Sequence, residues 1–320
     1  MATKKNNLPQ LKNMDDIIQR AREISGQEEP HRVAVAAAHD SAVIDAVIKA
    51  QDEKIADSIL IGNAKAIMQL LEEHGRKPSD FMIISTNSDE ETAIKVAETV
   101  ADEQADIILK GIIPTGKLLK TVLKQEYGLR RKGLLSHTAV LSLKRYNKLL
   151  AVTDGGMVIK PTFDQKVEII RNSVLVGWSL GIRIPKVAVL APVDQVVQDF
   201  PETFEAAALS KMAQRYQIRD CEIDGPMSFD TAVWKPAVEY GGIKSSVAGQ
   251  ADIVVAGSIE TGNILAKSLV QFGGASFAGV IIGAKIPISL VSRADNAYHK
   301  MASVALAVVV SYFIKMRKSN

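Results

Sequence analysis

The stretch KLLAVTDGGMVIKPTFDQKVEIIRNSVLVGWSLGIRIPKVAVLAP, residues 148–192, decides how the chain folds. Its two ends, LLAVT and KVAVL, are apolar without alternation, as strands covered on both faces are. Between them the pattern predicts a long helix near Gln165 to Leu180. Strand, helix and strand in that order form a crossover unit, which places the two strands parallel in one sheet.

The same alternation extends in both directions. Upstream, RVAVAAA (32–38) ends at the turn and cap residues His39, Asp40 and Ser41, after which Val43, Ala46, Val47 and Ala50 repeat at helical spacing. SILIG (58–62) is a further strand, and Asn63 caps a helix that stops at Gly75. FMIIS, a helix around Glu90 to Glu103 and DIILKG (106–111) follow. Downstream come a helix near Glu202 to Tyr216 and the strands CEIDGP (221–226), ADIVVAG (251–257), FAGVIIG (277–283) and IPISLVS (286–292). Residues ahead of Arg32 read as a polar leader. Met301 to Phe313 is apolar but interrupted by Ser303 and Ser311 and too short to span a bilayer, so a buried terminal helix is expected and no membrane. The fold class is α/β with mainly parallel sheets. Its 320 residues suffice for two domains.

Charge and cysteine content exclude several functions. Lys plus Arg number 39 against 36 Asp plus Glu, too even a balance for a nucleic-acid coat. The single Cys221 rules out an internal disulfide framework and fits a reducing cytosol. The opening MATKKNNLPQ has no apolar core for a signal peptide, so a cytoplasmic protein is expected. The five histidines show no metal-ligand spacing. Neither a G-x-S-x-G elbow nor a G-x-G-x-x-G fingerprint is present.

Ligands of parallel sheets sit beyond the carboxyl ends of the strands. Three such places carry suggestive residues. Gly111-Ile-Ile-Pro-Thr-Gly116-Lys117 resembles a phosphate loop, but Leu118 stands where a magnesium-binding hydroxyl is required. What remains is that Thr115 and Gly116 open a helix whose free amides suit an anion, or simply cap it. Glu260-Thr261-Gly262-Asn263 joins a strand to a helix, with Gly262 permitting close backbone approach to a ligand and Lys267 one turn beyond Asn263. Ser292-Arg293-Ala294-Asp295 groups a hydroxyl, a cationic fork suited to phosphate and a carboxylate able to take a proton, and also reads as an Asp cap with an Arg ion pair.

Longer strings carry a resemblance. DGPMSFDTAV (224–233), GGIKSSVAGQADIVVAGSIETGNILAKSLVQF (241–272) and GAKIPISLVSRAD (283–295) resemble the phosphate acetyl- and butyryltransferase family. LKGIIPTGKLLKTVL and GLRRKGLLSHTAVL are similar to the same family, and TDGGMVIKPTFDQKVEIIRNSV and EAAALSKMAQR to its butyryl branch. The likeness runs from about residue 30 to 312 in one collinear order.

The resemblance implies two αβα-sandwich domains with a cleft between them, of the isocitrate/isopropylmalate dehydrogenase type. The division expected is 1–137 plus 296–320, with the terminal helix returning to the first domain, and 138–295. It implies direct acyl transfer between coenzyme A, as a substrate, and inorganic phosphate, with acyl-CoA and acyl phosphate as partners. No tightly bound cofactor and no metal are implied, and a homodimer or higher homo-oligomer is. The family's Ser-Arg pair falls on Ser292 and Arg293, and its other cleft arginine on Arg130, with Arg131 adjacent as a substitute. The acetyl branch carries its proposed catalytic Asp seven residues after the Ser, where this chain has His299; the butyryl branch has S-R-A-D, matched by Asp295. The base is thus Asp295 first and His299 second, one helical turn apart. Ala266 stands where relatives usually have Tyr, which either widens a pocket or alters packing. Other readings are an acetyltransferase proper, a non-catalytic acyl-CoA sensor, and an isocitrate-type dehydrogenase, which lacks the paired aspartates for a divalent metal.

Overall fold

The computed structural model describes residues 8–27, 29–131, 133–291 and 295–319. In chain order, its first half contains α1 (Met14–Gln27), β1 (Arg32–Ala36), α2 (Ser41–Asp52), β2 (Asp57–Gly62) and α3 (Ala64–Glu73). Then follow β3 (Met82–Ser85), α4 (Asp89–Ala101), β4 (Ile107–Lys110), α5 (Thr115–Val122) and β5 (Ser136–Ser142). Next are β6 (Leu149–Thr153), α6 (Phe163–Ser179), β7 (Lys186–Leu190), α7 (Glu202–Gln214) and β8 (Glu222–Met227). The last part holds α8 (Phe229–Val233), α9 (Lys235–Gly241), β9 (Ile253–Val255) and α10 (Ile259–Gln271). It closes with β10 (Ser276–Ile282), β11 (Ile288–Ser289) and α11 (Ala297–Ser319).

The chain divides into two compact units, a central one of Met1–Met14 and Gly133–Phe277 and a split one of Asp15–Lys132 and Ala278–Asn320. These boundaries differ from the expected 137/138 and 295/296. The reason is that β11 pairs parallel with β4, Ile288 beside Ile108, and antiparallel with β10, Val280 beside Ser289. Residues from 278 onward therefore belong to the sheet of the split unit.

Within the split unit the strand order is β3-β2-β1-β4-β11-β10. Its centre is β1, where Val35 lies beside Leu60 of β2 and Leu109 of β4. Asp40 caps α2 by accepting the Val43 N–H, and Asn63 caps α3 by accepting that of Ala66. Residues 14–27, expected as part of a polar leader, form α1 instead, because Met14, Ile17, Ile18, Ala21 and Ile24 fall on one buried stripe. The strand expected over 286–292 is confined to Ile288 and Ser289. Helix α11 is long and apolar enough to cross a membrane, yet most of that stretch is buried inside the unit. Ala302 and Val304–Val310 are all buried, and the helix packs on α2, β4 and β11. A helix apolar on every side belongs in an interior.

In the central unit the order is β5-β6-β9-β7-β8. All its pairings are parallel except β5 against β6, where Val140 faces Ala151. On one face α6 and α7 cover the sheet through Val167, Ile170, Val174 and Leu209, and a second core holds Val152, Val254, Ala266 and Met227.

Two buried histidines tie stability to acid. His31, before β1, and His137, in β5, each bury both ring nitrogens without a hydrogen-bond partner among the described residues. Burial pulls each down to about 4, helped at His31 by Lys315 and opposed there by Asp106. An unfolded histidine titrates near 6.5. Between these values the unfolded chain binds more protons, so stability is complete above pH 6.5 and falls as the pH drops toward 4. The loss expected is on the order of 3 kcal/mol per ring at the acid end of that window. Urea unfolding from pH 7.5 to 4.5 checks this, and His31→Leu should flatten the slope; a wild-type midpoint that does not move over that range contradicts it.

Candidate active site

Polar and glycine residues gather at the carboxyl ends of the strands in each unit, and each group is described by itself. In the central unit the hub is Asp154, the residue after β6, with only 3 % of its surface exposed. Its carboxylate accepts the N–H of Gly156 at 2.8 Å, of Met157 at 2.9 Å and of Val158 at 3.3 Å. Burial raises its pKa against the pull of these amides and that of His137. The turn it organises stands against α10: Asn263 Nδ2 donates to the Gly155 carbonyl at 2.9 Å. A Cβ at Gly262 would lie 2.5 Å from the Asp154 carbonyl oxygen, and one at Gly155 would lie 2.8 Å from the Gly262 carbonyl carbon.

That geometry bears on two expectations. The chain's own Asp154–Gly155 backbone by itself requires glycine at 262. Ala266, buried at 8 %, is part of the core with Val152 and Val254, which fits the packing alternative. Glu260 to Asn263 lie inside the first turns of α10, which Ser258 caps by accepting the Thr261 N–H. Asn263 and Lys267 are both exposed on that helix, one turn apart. Cys221 is half-buried, and burial pushes its thiol up to about 12, which leaves it a poor nucleophile.

In the split unit Thr115 and Gly116 open α5. Pro114 precedes them and no side chain caps the helix, while space around Gly116 is open. Just upstream Lys110 is buried, its ammonium donating to the carbonyls of Gly111 at 2.7 Å and Ile113 at 3.3 Å. Lys117 is engaged by Glu90 at 2.7 Å and Asp89 at 3.5 Å. Arg130 is exposed, its backbone bridging to Ala284, whereas Arg131 is half-buried and burial lowers its pKa.

Ser292 and Arg293 lie outside the described residues. Asp295 and His299 stand together at the start of α11, where Asn296 accepts the His299 N–H at 2.8 Å. Burial lowers the His299 pKa most, Asp295 acts to raise it, and Lys300 lowers it further. The imidazole is therefore neutral at pH 7 and able to accept a proton. Among the described residues no group of three or more His, Cys, Asp or Glu is placed to hold a metal ion.

The sequence pattern places Lys110 and Asp154 among the residues that follow buried strands, where a site is expected, without giving either a role; it does not single out Lys300. The two lysines left a signal, since each sits within or beside an apolar run where a charge is costly. Asp154 is marked by its place after a buried strand, but its role arises from amides of residues 156–158 folding back, which no local pattern shows.

A family model described as phosphate acetyl/butaryl transferase matches residues 13–98 and 90–308. A phosphate butyryltransferase from Clostridium acetobutylicum is 36% identical over 301 residues, covering 94% of this chain and 99% of its own. A phosphate acetyltransferase from Thermotoga maritima is 40% identical over 278 residues, 87% of this chain and 94% of its own. Among solved structures, a branched-chain phosphotransacylase from Enterococcus faecalis superposes with a TM-score of 0.78 at 30% identity, over 88% of this chain and 99% of its own.

Proposed function

The chain belongs to the phosphate acetyl/butyryl transferase family and is a phosphate acyltransferase, and from that premise we propose that it moves a short acyl group, butyryl ahead of acetyl, reversibly between coenzyme A and inorganic phosphate. The observation that carries this is a family match running in order from residue 13 to 308. Full-length likeness to named transferases also disfavours a non-catalytic sensor.

The chemistry proposed is direct. The sulfur of coenzyme A attacks the carbonyl carbon of an acyl phosphate, the C–S bond forms, and the C–O bond to phosphate breaks with its electron pair leaving on phosphate. The thiol proton passes to a base, for which Asp295 is first and His299 second. A thiol with an unperturbed pKa near ~8.5 needs only modest help to ionise. Arg293 supplies the fixed cation for the developing oxyanion and the leaving phosphate, with Ser292 as a hydrogen-bond donor. Anionic groups of the substrates would be received in the split unit by the start of α5 at Thr115 and Gly116 and by Arg130, and in the central unit by Gly262, Asn263 and Lys267. We place the enzyme in the cytoplasm as a homodimer without a tightly bound cofactor. The exposed Trp234, Tyr240, Ile264 and Phe272 beside and on α9 and α10 support self-association.

Phosphate-dependent release of thiol from short acyl-CoA is the expected result. Release that proceeds equally without phosphate identifies a thioesterase and ends the assignment. Across acetyl-, propionyl-, butyryl- and branched five-carbon substrates, kcat/KM should favour the four- and five-carbon chains. The S-R-A-D string and the branched-chain and butyryl specificities in the relatives' names support that order; Ala266 no longer does. An apolar pocket gains ~1–3 kcal/mol per methylene, so the preference should be graded. A higher kcat/KM for acetyl-CoA refutes the order and leaves the transferase assignment intact.

A further inference from the structure

We propose that Lys300 and Ser303 are positioning residues for acyl transfer: the buried Lys300 ammonium grips the backbone at Asp295 and the Ser303 hydroxyl grips it at His299, and between them they set where the Asp295 and His299 side chains stand. The inference rests on the proposal that one of those two is the base.

Lys300 lies in the first turn of α11 and exposes 2 % of its surface. It begins the buried stretch that continues through Met301, Ala302 and Val304. An ammonium at such a position loses its water and must recover hydrogen bonds from protein. Helical side chains tilt toward the N-terminus, so a lysine here reaches back over the residues that precede the helix. Its Nζ donates to the Asp295 backbone carbonyl, five residues earlier. The main chain of the same turn is fixed independently: the Lys300 N–H donates to the Asn296 carbonyl at 3.1 Å. Ser303 then ties the other candidate base to the sheet. Its hydroxyl donates to the His299 carbonyl at 2.7 Å and accepts the Gly279 N–H of β10 at 2.9 Å.

Asp295 and His299 are thus each held through their own carbonyls, one by Lys300 and the other by Ser303. Asn296, which caps the turn, is exposed, and water can replace what it supplies. Water does not reach Nζ as easily, so the grip on Asp295 comes from inside the fold. A base displaced by even ~1 Å loses rate by up to about 10²-fold while substrates still bind, because binding and proton transfer tolerate different errors.

Lys300→Met keeps the length and apolar stem of the side chain and removes the donor. It should lower kcat by about 10- to 100-fold, with KM for coenzyme A and for phosphate changed by less than about threefold. Lys300→Arg retains a donor and should recover most of the lost kcat. Ser303→Ala, a small change that keeps α11 apolar, should lower kcat in the same manner through His299 and serves if the methionine variant does not fold. Thermal unfolding measured beside kcat corrects for unfolded molecules. Folded Lys300→Met and Ser303→Ala with kcat within about threefold of wild type overturn the proposal, as does a defect confined to KM for phosphate. A wild-type enzyme lacking phosphate-dependent thiol release instead removes the transferase reading, an outcome seen before any variant is made.

Discussion

Arg293→Ala is expected to lower kcat by about 10²-fold or more, the scale on which loss of one oxyanion donor acts. The reaction gathers negative charge on the tetrahedral oxygen and on the departing phosphate, and a guanidinium aligned with both stabilises the transition state more than either ground state. Arg293→Lys should restore little, since a point charge does not reproduce two parallel N–H donors. Ser292→Ala should cost less, about 1 kcal/mol for one hydrogen bond. If Arg293 were only an ion-pair partner, the alanine variant would melt earlier and turn over normally per folded molecule. Measuring kcat beside thermal unfolding separates the two, and a near-normal kcat and KM for phosphate would end the assignment of Arg293.

Gly262→Ala should destabilise the protein, although alanine is the better helix former by roughly 1 kcal/mol. The sign of the change is therefore diagnostic. Gly262 sits within α10, and the new methyl would meet the Asp154 carbonyl oxygen at 2.5 Å, with the Gly155 Cα at 3.0 Å. Those neighbours are backbone and cannot swing aside, so α10 must move away from the end of β6. Overpacking of this kind costs about 1–3 kcal/mol, and Gly262→Val should exceed it. The movement also breaks the contact between Asn263 and the Gly155 carbonyl, so turnover should fall together with stability. A Gly262→Ala protein that melts higher than wild type, with unaltered turnover, would show that the two backbones are not in contact there.

Much of the fold was legible because buried parallel strands announce themselves. RVAVA, SILIG and KVAVL are apolar runs of strand length bounded by turn residues, and the caps at Asp40 and Asn63 stand where the pattern put them. Periodicity was present but passed over in α1, where charged residues between Ile17, Ile18 and Ile24 disguised the stripe. What no local pattern contained was pairing between distant strands. Two residues, Ile288 and Ser289, decide that the chain after 277 joins β4, and nothing in their identity says so. The same limit governed the site. A glycine at a helix start has many uses, and only the position of Asp154 shows that the chain's own backbone is one reason for Gly262. Ser303 reads in the sequence as an interruption of a hydrophobic helix, yet its hydroxyl bonds to the backbone of the same turn.

The placement of α11 has a consequence for how the protein is made. Synthesis delivers residues 15–132 before Gly133–Phe277, and the strands and helix that complete the split unit only after both. Until Ile288 and Ser289 emerge, β4 is an open edge, and until α11 follows, the apolar faces of α2 and β4 lack the helix that covers them. The central unit can close on the ribosome in the meantime, while the earlier-made segment waits unfinished. A nascent chain in that condition presents a strand edge and a hydrophobic surface together, the combination that invites association with other chains. Residues made after the central unit are thus the ones that end the exposure of residues made before it.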